Sequence, residues 1–287
     1  MSAVPFDLAA YLQRIGFASG APLAPTLDLL RALVTHHTRV LPFENIEVLA
    51  GGVPKLDLAA LQHKLVGSGG SSRGGYCFEQ NALFMAALVH IGFTVRAREA
   101  RVRAGVPADV PTARTHMALQ VSVAGDEYLV DVGFGGLAPL APLRLHAAGE
   151  QAAGSGRYRF IEHADDPAPG DLLMQTLLHE GWSDCYVIGA SAPTPIDFVM
   201  GNWFVATHPG GFLRNNLLVG RAQQGGARLT LFNDKLELRQ PQTAAPEQRR
   251  LATRAEFADV LADGFGLRLA TVELDAVMAA AERHAGA

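Results

Sequence analysis

The sequence predicts an α+β protein in three parts: a helical N-terminal part, a central antiparallel β part and a C-terminal mixed α/β lid. Three observations predict it. Apolar residues recur at helical spacing up to about Gly92, the period shifts to two from Thr94 through Val130, and two hairpin turns beyond Pro195 precede a capped helix. The expected divisions are 1–92, 93–195 and 196–287.

In the first part each helix opens on a capping side chain. Asp7 precedes Leu8, Tyr11, Leu12 and Ile15, with Gly16 as a stop; Thr26 precedes Leu27, Leu30, Leu33 and Val34; Asp57 precedes Leu58, Leu61 and Leu65. A fourth helix starts at Cys77, with Phe78, Ala82, Leu83, Met85, Ala86 and Val89 at helical spacing and Gly92 as a stop. The middle part continues past Val130 with strands at Tyr158 to Ile161 and Trp182 to Ile188, separated by loop-like stretches at Ala147 to Gly156 and Asp165 to Gly170. In the last part the turns are Gly225-Gly226 and Asn233-Asp234, and Thr253-Arg254-Ala255-Glu256 is a capping box opening a helix through Phe257, Val260 and Leu261.

The chemistry points to Arg73-Gly74-Gly75-Tyr76-Cys77-Phe78-Glu79-Gln80-Asn81, where one of only two cysteines sits between a glycine turn and a helix. A sulfur in the first turn faces free N–H groups and the positive end of the dipole, which favour thiolate. Gly74 and Gly75 supply positive φ or a close approach. A buried structural cysteine fits the run equally well.

A histidine and an aspartate downstream shift that balance. In His116 to Val123, Met117, Leu119, Val121 and Val123 share one face, and His116, Ala118 and Gln120 the other. With Gly125-Asp126 as a two-residue loop, the return strand Glu127 to Val132 sets Asp131 opposite Gln120, on the side of His116. His116 is then four positions away, roughly 13 Å along an ideal strand, so a bulge, a longer loop or coiling must bring the two together. A cysteine activated by an imidazole that a carboxylate orients needs no metal, and no metal-ligand spacing is present.

These motifs resemble those of the arylamine N-acetyltransferases, and the resemblance extends over most of the chain. The run around Cys77 is similar to that family's nucleophile motif, Thr115-His116 to its histidine strand and Asp131-Val132-Gly133-Phe134-Gly135 to its aspartate motif. Leu41-Pro42-Phe43-Glu44-Asn45-Ile46 resembles its N-terminal motif, and Asn202-Trp203-Phe204, Thr207-His208-Pro209 and Asn215-Asn216 its third block. Gly67 to Ser72, rich in glycine and serine, departs from the pattern. The resemblance implies a helical bundle, β-barrel and α/β lid around a papain- or transglutaminase-like core, with Cys77, His116 and Asp131 as catalytic triad. It implies ping-pong transfer of acetyl from acetyl-CoA through a Cys77 thioester to an arylamine, arylhydrazine or N-hydroxyarylamine, with acetyl-CoA as donor substrate and no permanent cofactor. Thr115, Gly133, Gly135, Gly136, Thr207 and His208 are its implied coenzyme contacts, the glycines forming a nest of N–H groups for the pyrophosphate. Phe43, Tyr76, Phe134 and Phe204 are its implied amine contacts. Glu44 and Arg73 are expected to pair and fix the nucleophile loop.

A chain of 287 residues, 49% hydrophobic, buries a large core. A net charge of −4 and a pI near 6.2 give no electrostatic case for nucleic acid or an anionic membrane. Arg96, Arg98, Arg101 and Arg103 read as the solvated face of a strand, with attraction of a phosphorylated cofactor as the alternative. There is no apolar run of membrane-spanning length and no basic start with an apolar signal core, so the expected location is the cytoplasm, as monomer or homodimer. Cys185, beside Val187 on a strand, reads as packing rather than as a disulfide partner of Cys77. Two rival readings stand: a transglutaminase-like or papain-like thiol acyl hydrolase, and a non-catalytic binding module. Detoxification of foreign amines and a biosynthetic step are both open.

Overall fold

The computed structural model describes residues 5–18, 22–67, 73–107, 109–162, 170–241 and 245–283. The N-terminal part holds α1 (Leu8–Arg14), α2 (Leu27–Val40), β1 (Phe43–Glu44), α3 (Ile46–Leu49), α4 (Leu58–Leu61) and α5 (Cys77–Ile91). The caps act as their chemistry requires. Asp7, Thr26 and Asp57 each accept the N–H three residues on, from Ala10, Leu29 and Ala60 at 2.9, 3.2 and 3.0 Å. A wide turn over Gln62–Val66 extends α4, and residues 68–72 of the glycine- and serine-rich stretch lie outside the described residues.

The central part comprises β2 (Thr94–Val102), β3 (Arg114–Val123), β4 (Asp126–Val130), β5 (Leu143–Arg144), β6 (Gln151–Ala153), β7 (Gly156–Glu162), β8 (Leu172–Leu178) and β9 (Gly181–Ile188). These form one antiparallel sheet in the order β5-β4-β3-β2-β9-β8-β7-β6. The sheet curls until its edge strands meet through side chains: Gln151 accepts from the Arg144 N–H at 2.8 Å and donates to its carbonyl at 2.9 Å. The result is a nearly closed barrel, which removes most of the exposed edge. β8 was not expected from its sequence, Leu-Leu-Met-Gln-Thr-Leu-Leu, which lacks alternation.

Next follow α6 (Pro195–Thr207), α7 (Phe212–Asn215), β10 (Leu218–Ala222), β11 (Arg228–Phe232), β12 (Lys235–Arg239), β13 (Glu247–Arg250), α8 (Arg254–Asp259) and α9 (Thr271–Glu282). The second antiparallel sheet runs β1-β10-β11-β12-β13, so a strand from the N-terminal part closes the C-terminal sheet. Both expected hairpins form, with Asn233-Asp234 a two-residue loop between paired Phe232 and Lys235. The Thr253–Glu256 box caps α8. Helices α6 and α9 were not anticipated, because both are apolar on more than one face. The α+β class and its three kinds of layer agree with the sequence. No helix among the described residues is long and apolar enough to cross a membrane.

Three local expectations are corrected. The β3–β4 loop is Ala124-Gly125, not Gly125-Asp126: Val123 pairs with Asp126, and both loop residues have positive φ, at 52° and 88°. That geometry twists the turn to match the strands. On α5 the apolar spacing misplaced the inner face. Val89 is half exposed, whereas Glu79, Gln80 and Asn81 are buried. The Arg96–Arg103 series is only partly a solvated face, since Arg103 is buried and donates to the carbonyls of Val110 and Pro107 at 2.6 and 2.5 Å.

Candidate active site

Cys77 is the first residue of α5, with Tyr76 before it as the cap, so its N–H has no partner within the helix. Glycine at 74 and 75 permits this entry through close approach rather than through positive φ. A Cβ on Gly74 would lie 2.0 Å from the Pro42 carbonyl oxygen, and one on Gly75 2.8 Å from Glu79 Oε2. The turn is held from both sides. Glu79 accepts the Tyr76 N–H at 3.1 Å, and Gln80 donates to the carbonyls of Pro42 and Gly75 at 2.8 and 3.3 Å. Arg73 donates to buried Glu44 at 2.8 and 3.1 Å and also pairs with Glu273 of α9. The expected Glu44–Arg73 pair is thus present, and the C-terminal helix supplies an unexpected third member.

The Cys77 sulfur points to β3, where the Thr115 carbonyl accepts its S–H at 3.9 Å. The next residue is His116, whose Nε2 lies 2.7 Å from Asp131 Oδ2. The register explains this proximity. With Ala124-Gly125 as the loop, Leu119 pairs with Val130, so Asp131 is two positions from His116 instead of four, and it stands just past the end of β4. A register shift between Ala100 and Arg101 in β2 lies opposite His116 and adds local twist.

Asp131 is 1% exposed and receives four donors: His116 and Tyr186 Oη (2.9 Å) on Oδ2, Asn81 Nδ2 (3.0 Å) and the Gly133 N–H (2.8 Å) on Oδ1. Burial alone would raise its pKa; the His116 charge and these hydrogen bonds together pull it below the usual carboxylate value. Burial alone would likewise lower His116, but the Asp131 charge, the Asp131 hydrogen bond and the Cys77 thiol carry it up to about 10. Tyr186 is kept protonated, as a donor, by burial and by Asp131. The imidazole packs with Phe134 and Tyr186 in a cluster of three mutually touching rings, at ring-centre distances of 5.0 and 4.8 Å from it and 4.7 Å from each other.

The other expected contacts fall into three groups. Thr115, Gly133 and Phe134 surround the Cys77–His116–Asp131 cluster, and Phe43 lies against the Gly135 turn. Tyr76 is wholly buried with its hydroxyl on Asn202, so it packs behind Cys77 and forms no wall of an amine slot. Thr207, His208 and Phe204 occupy the last turn of α6, where Thr207 donates to the Trp203 carbonyl at 2.7 Å and His208 stacks on Phe204 at 4.6 Å. That helix is seated beside the nucleophile, since a Cβ on Gly201 would come within 2.9 Å of the Phe78 ring. The glycines after Asp131 have packing reasons. The Gly133 N–H is already held by Asp131, and a Cβ there would meet Cys77 Cα at 2.7 Å. A Cβ on Gly136 would meet Thr230 Oγ1 at 2.7 Å. Only Gly135 has positive φ, at 58°.

Asn81 and Tyr186 were missed in the sequence. Asn81 had a signal, one turn after Cys77 on the same helix face. Tyr186 had none: a bulge on β9 puts Cys185 and Tyr186 into one core with Ile188, against the expected pairing of Cys185 with Val187. Both cysteines are free thiols, and burial pushes Cys185 up to about 12. No cluster of three metal-ligating side chains exists among the described residues.

A thiol, a buried imidazole and a carboxylate thus stand together in this order on an α+β fold, and the N-acetyltransferase family model matches residues 26–274. An arylamine N-acetyltransferase / N-hydroxyarylamine O-acetyltransferase of Salmonella typhimurium is 38% identical over 267 residues, 91% of this chain and 92% of that one. An arylamine N-acetyltransferase of Escherichia coli is 35% identical over 281 residues, 96% of each. Among solved structures, the Mycobacterium marinum arylamine N-acetyltransferase in complex with CoA superposes with a TM-score of 0.86 at 35% identity, covering 96% of this chain and 99% of that one. The chain belongs to the arylamine N-acetyltransferase family and is an acyltransferase.

Proposed function

We propose that the protein transfers an acetyl group from acetyl-CoA to arylamines, arylhydrazines or N-hydroxyarylamines through a thioester on Cys77, with Cys77, His116 and Asp131 as catalytic triad. The observation that carries this reading is the Cys77 thiol at a helix start, beside an imidazole that a four-fold hydrogen-bonded carboxylate holds. His116 takes the proton from Cys77, and the thiolate attacks the thioester carbonyl of acetyl-CoA. The Asp131 charge stabilises the imidazolium so formed. The developing oxyanion is met by the Cys77 N–H, which α5 leaves without an internal acceptor. The imidazolium gives its proton to the departing coenzyme A thiolate. The amine nitrogen, or the hydroxyl oxygen of an N-hydroxyarylamine, then attacks the acetyl carbon, His116 accepts the acceptor's proton, and the Cys77 sulfur leaves as thiolate.

The donor reading draws support from the M. marinum relative's complex with CoA, and the N-hydroxyarylamine acceptor from the name of the Salmonella relative. Thr115, Thr207, His208 and the outer side of Gly135 and Gly136 are assigned to the coenzyme, and Phe43, Phe134 and Phe204 to the acceptor's ring. The deciding experiment is intact mass after acetyl-CoA alone. Wild type is expected to gain one acetyl group that an arylamine then removes, and Cys77→Ser to gain none. A wild type that stays unmodified across pH overturns the reading in favour of amide-cleaving thiol chemistry.

A further inference from the structure

The turn after Asp131 is gripped from behind by a buried arginine. Arg228, on β11, is 5% exposed, and its hydrogen bonds all go to neutral acceptors: Nε donates to Ser155 Oγ at 3.3 Å, one terminal nitrogen to the Gly136 carbonyl at 3.0 Å and the other to Tyr158 Oη at 2.8 Å. Among the described residues it pairs with no carboxylate. Tyr158, 1% exposed, donates to the carbonyls of Leu137 and Ala138 at 3.2 and 3.1 Å. One arginine–tyrosine pair therefore holds three consecutive carbonyls, 136 to 138. The turn's own hydrogen bonds, Leu137 to Phe134 and Ala138 to Gly135, are long at 3.4 and 3.3 Å and fix it poorly. At its other end the turn carries Phe134, whose ring rests on His116, and Gly133, whose N–H holds Asp131.

A buried guanidinium without a counter-charge is destabilising unless its N–H groups are well used. Here they are used on the backbone that seats Phe134. We infer that Arg228 is a positioning residue for the His116–Asp131 pair, acting through Gly136 and Tyr158 to fix the 134–138 turn that holds Phe134 over the imidazole. The inference rests on the acyl-transfer reading above.

The test is the single-turnover rate of Cys77 acetylation against pH and acetyl-CoA concentration, for wild type, Arg228→Met, Tyr158→Phe, Phe134→Leu and the Arg228→Met/Phe134→Leu double variant. With the turn loosened, water reaches His116, Asp131, Cys77 and the Tyr186 hydroxyl and screens the Asp131 charge, so the imidazolium loses its proton more readily. Arg228→Met is expected to slow acetylation at saturating acetyl-CoA at least tenfold at neutral pH and to move the alkaline limb down by half a pH unit or more. Tyr158→Phe keeps the arginine's charge and is expected to move that limb the same way by less. On the Phe134→Leu background the arginine substitution is expected to add little. A wild-type pH profile in folded Arg228→Met or Tyr158→Phe, or independent losses in the double variant, overturns the inference. If Arg228→Met does not fold, Tyr158→Phe decides. If wild type takes no acetyl group, the acyl-transfer reading has failed, and the pH midpoint for alkylation of Cys77 by iodoacetamide, compared across the same variants, decides the positioning role by itself.

Discussion

Replacing Asn81 with alanine removes one amide that joins the nucleophile helix to the barrel. Its Nδ2 donates to the Met117 carbonyl at 2.7 Å and to Asp131 Oδ1 at 3.0 Å, and its Oδ1 accepts the Val132 N–H at 3.2 Å. Asn81 is fully buried, so water does not replace the lost partners. Asp131 Oδ1 keeps the Gly133 N–H, but Val132 lies beyond the end of β4 and its N–H is left without a partner. An orphaned buried donor or acceptor costs about 1–3 kcal/mol, so losing the Val132 and Met117 contacts together costs roughly 2–6 kcal/mol. At about 2–4 °C per kcal/mol for a chain approaching this size, the melting temperature falls by roughly 4–24 °C. Acetylation of Cys77 is expected to slow at least tenfold, because Asp131 loses one of four donors and the helix one tie to the barrel. Asn81→Asp is expected to be worse, since it sets a second carboxylate against Asp131. A melting shift below 2 °C in Asn81→Ala, with acetylation within twofold of wild type, would show that the amide is not what joins helix and barrel.

Three further outcomes follow from buried charges. Arg73→Met strands Glu44, whose side chain is 0% exposed, and is expected to destabilise by about 3–5 kcal/mol, with Arg73→Met/Glu44→Gln recovering at least half in urea melts; an equally unstable double variant refutes the pairing argument. Burial holds His37 neutral and lowers its pKa from 6.5 to about 4, so the unfolded chain binds the extra proton between those values. Stability is therefore complete above about pH 6.5 and falls by about 3 kcal/mol as pH drops to 4; His37→Gln should flatten part of that acid slope, and an unchanged slope excludes His37 as its source. His116 has the opposite sign. Its raised pKa contributes stability that is complete below 6.5 and disappears as pH rises through about 10, so the melting difference between wild type and Asp131→Asn should narrow steadily up to pH 10.

What was legible in the sequence was local. Capping side chains at Asp7, Thr26, Asp57 and Thr253 announced their helices because a cap is a contact between residues three apart. The alternation of His116 to Val123 gave the faces of β3 correctly, and parity alone put His116 and Asp131 on one side. The register error at Ala124-Gly125 came from preferring Gly-Asp as the loop, when an alanine with positive φ occupies it. Tyr186, Arg228 and Glu273 were illegible because each acts across the fold on a turn or carboxylate far away in sequence, and one of them sits beside a bulge that breaks the alternation.

The failed periodicity of α5 has a physical cause that bears on function. A helix read by its apolar stripe is assumed to bury one face. Here three consecutive polar residues, Glu79, Gln80 and Asn81, are buried, and consecutive helical positions point in directions about 100° apart. Each ties the first turn to a different body: Glu79 to Lys64 at 2.7 Å and to the Tyr76 N–H, Gln80 to His37 of α2 at 2.8 Å and to the Pro42 and Gly75 carbonyls, Asn81 to β3 and to Asp131. The tautomer of His37 is fixed by the same chain. Gln80 Nε2 donates to two carbonyls, so its Oε1 accepts from His37 Nε2–H, and His37 Nδ1 accepts from Tyr11 at 2.8 Å. Apolar packing alone lets a helix slide by fractions of an ångström at little cost, whereas three directional contacts around one turn oppose displacement along three axes. A sulfur that must stay within reach of an imidazole on another element gains from that rigidity, and the polar residues that supply it are the ones that conceal the helix from a hydrophobic reading.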